Sequence, residues 1–232
     1  MKEEREGRVF ITKEGCRIKV TRYYSATNCS IEFCDYNYTR HNVRWYTIEQ
    51  GTIKNPYLKK IFGVGYLGEG QYNMATSSKI YRCWYNMMNR CYNKNTRDSF
   101  PTYEKCEVCE EWHNFQNFAK WYEENYYQVD SDKMCLDKDI LHKGNTLYSP
   151  ETCVFVPQQV NKLFTKRQRY RGECCIGVWK KEEGFCAGCT KHGKNINLGL
   201  YSTQERAFNA YNKFKEELIK EIRKNYFMPI IV

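Results

Sequence analysis

The chain has no apolar run long enough to span a bilayer, which excludes a transmembrane helix. Its first residues, Met1-Lys2-Glu3-Glu4-Arg5, lack the apolar stretch of a signal peptide, so no secretory signal is expected. Acidic side chains are too few to balance the basic ones: 27 Asp and Glu face 37 Lys and Arg, a net charge of +10. Net charge says little about fold and much about partners, and this excess favours a polyanion. Aromatic rings and thiols are abundant, with 20 Tyr, 12 Phe and 13 Cys among 232 residues. A hydrophobic share of 41% excludes a fully disordered chain and leaves room for one large domain or two to three small ones. An odd cysteine count without a secretory signal points to reduced thiols in a cytoplasm.

The charge is uneven. Residues 1–60 carry net +5, residues 61–160 net −3 and residues 161–232 net +8. Basic ends around an acidic centre fit a protein that grips a polyanion at two places and holds a metal ion between them; the plainer reading is a generic basic surface.

Hydrophobic spacing divides the chain into segments and predicts an α+β, multidomain protein. Residues 16–24, 30–34 and 43–47 alternate apolar and polar with period two, and turn residues such as Gly15, Asp35, Asn37 and Gly51 punctuate them. These predict a small SH3- or Tudor-like β-barrel over residues 1–60, a module able to take a protein partner. A glycine-rich joint covers 61–74. Gly63, Gly65 and Gly68 formally match a dinucleotide fingerprint, but no apolar helical run follows at once, so a turn-rich linker is expected. Ile80, Trp84, Met87, Met88 and Cys91 form one helical stripe capped by Ser77 or Ser78, and a second helix is predicted over 110–127. Residues 136–161 read as strand, loop, strand and the start of a helix after Pro157. Residues 173–180, 184–190 and 194–200 read as three short strands, followed by a helix from 202 or 203 to about 226 with Ala207, Tyr211, Phe214 and Leu218 on one face.

Cys106-x-x-Cys109 and Cys186-x-x-Cys189 have the general spacing of a zinc ribbon. Cys186 and Cys189, three apart on a strand, point to opposite faces, so core thiols are expected and no structural zinc.

Tyr170-Arg171-Gly172, Gly177-Val178-Trp179, Gly193-Lys194, Leu198-Gly199-Leu200-Tyr201-Ser202-Thr203, Ala207 and Ala210-Tyr211-Asn212 resemble an APETALA-two/ERF-type DNA-binding domain, assigned here to 166–228. The resemblance implies a three-stranded antiparallel sheet in the DNA major groove with one helix packed behind it. Lys180, Lys181, Lys191 and Lys194 then become candidates for phosphates, and Trp179, Asn195 and Asn197 for base edges. Cys186, Gly188 and Thr190 stand where that family tends to place arginine, which weakens base readout from the second strand.

Trp84-x-x-Met87-x-x-Arg90-Cys91-Tyr92, Val108-Cys109-x-x-Trp112, Leu136-Asp137-Lys138-Asp139-Ile140, Tyr148-Ser149-Pro150-Glu151-x-Cys153-x-Phe155-Val156-Pro157 and Asn161 resemble phage HNH-type endonucleases. In such proteins a ββα-metal module is often followed by this kind of DNA-binding domain. The resemblance implies an HNH-like ββα module with two preceding helices over 75–165. It also implies double-stranded DNA as partner, the cytoplasm of a bacterial host, and Mg²⁺ or Mn²⁺ held by Asp137, Asp139 and Asn161. Lys138 stands where the family has its water-activating His, and Thr152 or Cys153 near its central Asn. A lysine at its ordinary pKa is a poor base at neutral pH. Lys138 could instead stabilise phosphate charge, and Asp139 and His142 could substitute as ligand or base. Asn145, after Gly144, reads as a turn residue. Lys166, Arg167, Arg169 and Arg171 form a candidate phosphate-tracking arm between the modules. The leading expectation is a metal-dependent DNA endonuclease or nickase. The alternative is a non-cleaving HNH-like DNA-binding protein that regulates or blocks a host function.

Overall fold

In the computed structural model the described residues are 4–129, 131–158, 160–161, 174–191 and 194–225, with side chains described through residue 221. The candidate arm of Lys166, Arg167, Arg169 and Arg171 lies outside them. The fold is mixed α+β with several sheets. Two compact units divide it, one from residues 1–97 with 110–119, the other from 98–109 with 120–232.

In the first unit β1 (Val9–Ile11), β2 (Arg17–Ser25), β3 (Asn28–Phe33) and β4 (Tyr38–Val43) pair antiparallel in the order β1-β2-β3-β4. Alternation along β2 and β3 sends Ile18, Val20, Ile31 and Phe33 to one buried face. The predicted barrel is a correction: among the described residues the sheet is an open meander with β1 and β4 as its edges. Residues 43–47, predicted as a strand, are a second. The strand stops at Val43, the Trp45 N–H bonds the Ala26 carbonyl at 2.8 Å, and α1 (Trp45–Glu49) begins there. Trp45 and Ile48, three residues apart and so on one helix face, join the buried cluster that closing strands would otherwise cover. Phe10 and Tyr23 meet Trp45 edge-on, at 5.7 and 5.6 Å.

Ser77 precedes α2 (Ser78–Tyr92), whose Trp84, Met87, Met88 and Cys91 are buried as the stripe predicts. A short α3 (Lys94–Ser99), absent from the sequence reading, follows. The predicted helix 110–127 is broken. Residues Glu110–His113 form a 3₁₀ turn, and α4 (Phe115–Asn125) starts afresh because Asn114 caps it, its Oδ1 accepting the Gln116 N–H at 3.0 Å. The Phe115 N–H meanwhile bonds the Tyr66 carbonyl at 2.9 Å. The glycine-rich segment is rich in turns and also packs locally: a Cβ on Gly68, at φ +69°, would collide with the Asn114 side chain.

In the second unit β6 (Met134–Asp137) pairs antiparallel with β8 (Val154–Pro157). Beside them β5 (Glu107–Val108) pairs parallel with β7 (Leu147–Tyr148). Phe155 is packed by Trp121, Tyr122 and Tyr126 at 5.5, 4.9 and 5.2 Å, and its carbonyl accepts the Tyr127 hydroxyl at 2.8 Å. The chain then forms an antiparallel sheet ordered β11-β10-β9, from β9 (Val178–Lys181), β10 (Gly184–Lys191) and β11 (Lys194–Tyr201). The first strand is shorter than predicted, because Val178 N–H turns back to the Cys175 carbonyl at 3.1 Å. Helix α5 (Gln204–Asn225) covers one face of this sheet through Ala207 and Tyr211, which pack on Val178 and Ala187. Further along, Phe214 and Leu218 reach Ile140, Val156 and Val160, so one helix serves both the sheet and the β6–β8 pair. Among the described residues no helix is long and apolar enough to cross a membrane.

Candidate nucleic-acid interface and the ββα loop

The loop after β6 organises itself. Asp137 ends the strand and its Oδ1 accepts the N–H groups of Asp139 and Ile140, both at 2.8 Å, turning the chain at once. Burial pushes the Asp137 carboxyl above the ordinary range, and those two N–H bonds oppose the shift.

Lys138 follows, and only 6% of it is exposed. Its ammonium donates to both oxygens of Asp139 at 2.9 Å and to the Asn145 carbonyl, and sits 5.7 Å from the Tyr148 ring centre. Burial pulls the lysine down, but the hydrogen bond and charge of Asp139 outweigh it and hold the group above its usual pKa. The ammonium is thus fixed in its charged form and cannot take a proton from water.

Asn145 closes the loop from the other side. Its Nδ2 donates to the Lys138 carbonyl at 3.0 Å and the Leu147 carbonyl at 2.6 Å, and its Oδ1 accepts the Leu147 N–H at 3.1 Å. Lys138 and Asn145 therefore clamp one another reciprocally. Thr152 builds the next turn, donating its hydroxyl to the Leu147 carbonyl at 2.7 Å and accepting the Ser149 N–H at 3.1 Å. Cys153 is buried, which pushes its thiol up to about 12, so it is a neutral core group. His142 is exposed on the loop, and Asn161 is a partly buried helical residue beyond β8.

Mg²⁺ or Mn²⁺, implied by the HNH resemblance, would meet carboxylates that are already partly committed. Both oxygens of Asp139 already meet an ammonium, and Asp137 Oδ1 already accepts two N–H groups. A divalent cation beside Asp139 would share that carboxylate with the Lys138 ammonium, against like charge.

The C-terminal sheet has two unlike faces. Register and alternation put Val178, Ala187 and Cys189 toward α5, and Trp179, Lys181, Cys186, Gly188, Thr190, Asn195, Asn197 and Leu200 on the opposite, open face. The extra residue of the bulge is Leu198, which joins the helix-side cluster while β10 keeps its alternation. Cys186 and Cys189 accordingly lie on opposite faces, as the spacing predicts.

On the open face Trp179 is 44% exposed and its ring crosses to Gly188, where a Cβ would approach the ring to 2.9 Å. Thr190 donates its hydroxyl to Asn195 Oδ1 at 2.9 Å, and Asn197 Oδ1 accepts the Gly199 N–H at 3.0 Å. Both amide oxygens are engaged, which leaves Nδ2 as the group each of these exposed side chains offers more readily. That modifies the bidentate pairing expected of Asn195 and Asn197, since each now offers a donor more readily than an acceptor.

Three of the predicted lysines fall elsewhere. Lys180, Lys191 and Lys194 share the register of the α5 face, not the open one. Lys191 is tied to Glu221 of α5 at 2.6 Å, which leaves its ammonium less available to a phosphate. Sequence reasoning gave no binding role to Thr190 or to Leu200, an apolar side chain 47% exposed on the open face. Period-two alternation along β10 was the available signal for Thr190, while the bulge at Leu198 hid the face of Leu200.

Comparison with protein-family models, with curated proteins and with solved structures finds no match for this chain.

Proposed function

We propose that this chain binds double-stranded DNA through the open face of the β9–β11 sheet, and that its HNH-like ββα region is a non-cleaving module supporting that sheet. The observation that carries the second half is the buried Lys138 ammonium, which occupies both oxygens of Asp139 and the Asn145 carbonyl. A nuclease of this kind needs a group that accepts a proton and carboxylates available to a cation. Here the residue at the histidine position is a locked cation, and its neighbour's carboxylate is neutralised.

The first half is supported by what the open face offers. Trp179 and Leu200 supply flat and apolar surface suited to bases and thymine methyls, Asn195 and Asn197 supply amide donors for base acceptors, and Lys181 supplies a phosphate contact. The net +8 of residues 161–232 fits the same partner. On this reading the protein belongs with phage HNH-type proteins carrying an ERF-type domain, and it acts in a bacterial cytoplasm as a regulator or as a factor blocking a host function.

The metal-dependent nickase is the second reading. It is favoured by Asp137, Asp139 and His142 standing within one tight loop, with Asp139 half-exposed and His142 exposed. One experiment separates the two. Supercoiled plasmid carrying candidate sites is incubated with protein and Mg²⁺ or Mn²⁺, beside Asp137→Ala. Salt-sensitive band shifts with intact plasmid are expected. Nicking that disappears in the variant would reverse the choice.

A further inference from the structure

The first unit has a basic groove that the sheet-face reading does not use. It lies where β4 gives way to α1 and the following loop, and it is lined by Arg40, Asn42, Arg44, Thr47, Thr52 and Lys54 over buried Val43 and Ile53. Its volume is about 490 Å³. Two arginines and one lysine line this space, and no acidic residue does. All three cations are exposed, and Arg40 donates only a long bond, 3.5 Å, to the Lys54 carbonyl. Three other basic side chains of the unit have a carboxylate beside them: Arg17 has Asp35, Arg22 has Glu6 and Lys60 has Glu14.

Three cations gathered in one concavity repel each other, an arrangement that an anion relieves. The lining has no aromatic ring on which a base could stack and little exposed apolar surface, so it suits a charged backbone better than a nucleobase or an apolar ligand. Arginine's planar fork matches paired phosphate oxygens. We infer that this groove is a second DNA contact, holding the phosphodiester backbone of a duplex without reading its sequence. The inference rests on the reading of the chain as a DNA-binding protein, and gives three of the basic side chains of residues 1–60 a role.

The test uses the full chain and a long random-sequence duplex, with affinity measured by fluorescence anisotropy across a salt series. Arg40→Ala/Arg44→Ala/Lys54→Ala should flatten the slope of log affinity against log salt by roughly 2 to 3, because each lost phosphate contact removes about 0.9. Arg40→Lys/Arg44→Lys, which keeps the charge, should retain most of the slope. Thermal melting of each variant shows that a lost slope is not a lost fold, since all three side chains are exposed. A companion variant, Trp179→Ala/Lys181→Ala/Asn197→Ala, tests the sheet separately. A flattened slope in the groove variant supports the inference, even where the sheet variant binds like the parent and the sheet reading fails. An unchanged slope in the groove variant overturns the inference, while loss in the sheet variant leaves the sheet reading standing. A parent protein that shows no salt-dependent binding overturns both.

Discussion

The ββα loop and the C-terminal sheet carry polar residues at the positions a family resemblance marks as functional, yet they use them in opposite directions. Around Lys138 the polar atoms meet one another: ammonium to carboxylate, amide to carbonyl, hydroxyl to carbonyl. On the open face of β9–β11 the internal bonds stop short, and amide donors, a lysine and an indole remain on exposed side chains. A satisfied network rigidifies its loop, and it must lose those partners before it can act on anything else. An open face needs no such rearrangement. Residue type at a functional position therefore says less than where its hydrogen bonds are already committed.

The largest effect expected tests whether the two regions are one structural unit. Leu218 of α5 is buried against Ile140, Val156 and Val160, so Leu218→Ala should cost about 2 to 4 kcal/mol. The loss should appear as one earlier melting transition, with near-ultraviolet signal from both regions disappearing together; two separate transitions would break the comparison by making the regions independent. Next, Lys138→Ala should destabilise by roughly 2 kcal/mol, because it strands the Asn145 carbonyl and empties a buried position, while Asp139 is half-exposed and rehydrates. Chemical denaturation reads this, and DNA affinity should stay near the parent value if the loop only supports. Third, Trp179→Ala should weaken duplex binding by about tenfold, the scale of one lost base contact, with little change in melting because the ring is nearly half exposed. Equal binding by that variant would place recognition away from the open face.

Much of the architecture was legible because apolar spacing is a local signal. The stripe of Trp84, Met87, Met88 and Cys91 and the helix carrying Ala207, Tyr211 and Leu218 follow from it directly. What escaped depended on partners distant in sequence or on caps. Trp45 read as a strand residue because the five residues 43–47 are too few to distinguish period two from a helix entry, and the bond of its N–H to Ala26 decided the matter. Asn114 divided a helix whose apolar pattern ran straight through it, since a cap is a single side chain against many. In the loop, Gly144-Asn145 signalled a turn, but the reciprocal clamp of Asn145 and Lys138 spans seven residues and needs the loop's full path. The sheet's two faces were legible at Cys186, Gly188 and Thr190, where alternation is unbroken, and not on β11, where the bulge at Leu198 shifts the register.

The smallest effect sharpens the comparison most, because it concerns two lysines of the same sheet. Lys181 lies on the open face, and Lys191 is turned to α5 and paired with Glu221 at 2.6 Å. Lys181→Ala should reduce the salt slope of duplex binding by about 0.9, the worth of one phosphate contact, and leave stability within about 0.5 kcal/mol of the parent. Lys191→Ala should do the reverse: the slope stays unchanged, and stability falls by only about 0.5 kcal/mol, since the pair is partly exposed and screened. Glu221→Gln, which removes the partner and keeps the shape, should release the Lys191 ammonium and leave the slope unchanged or slightly steeper. A drop in slope on Lys191→Ala equal to that on Lys181→Ala would mean that DNA reaches the helix side of the sheet, and the distinction between its two faces would fail.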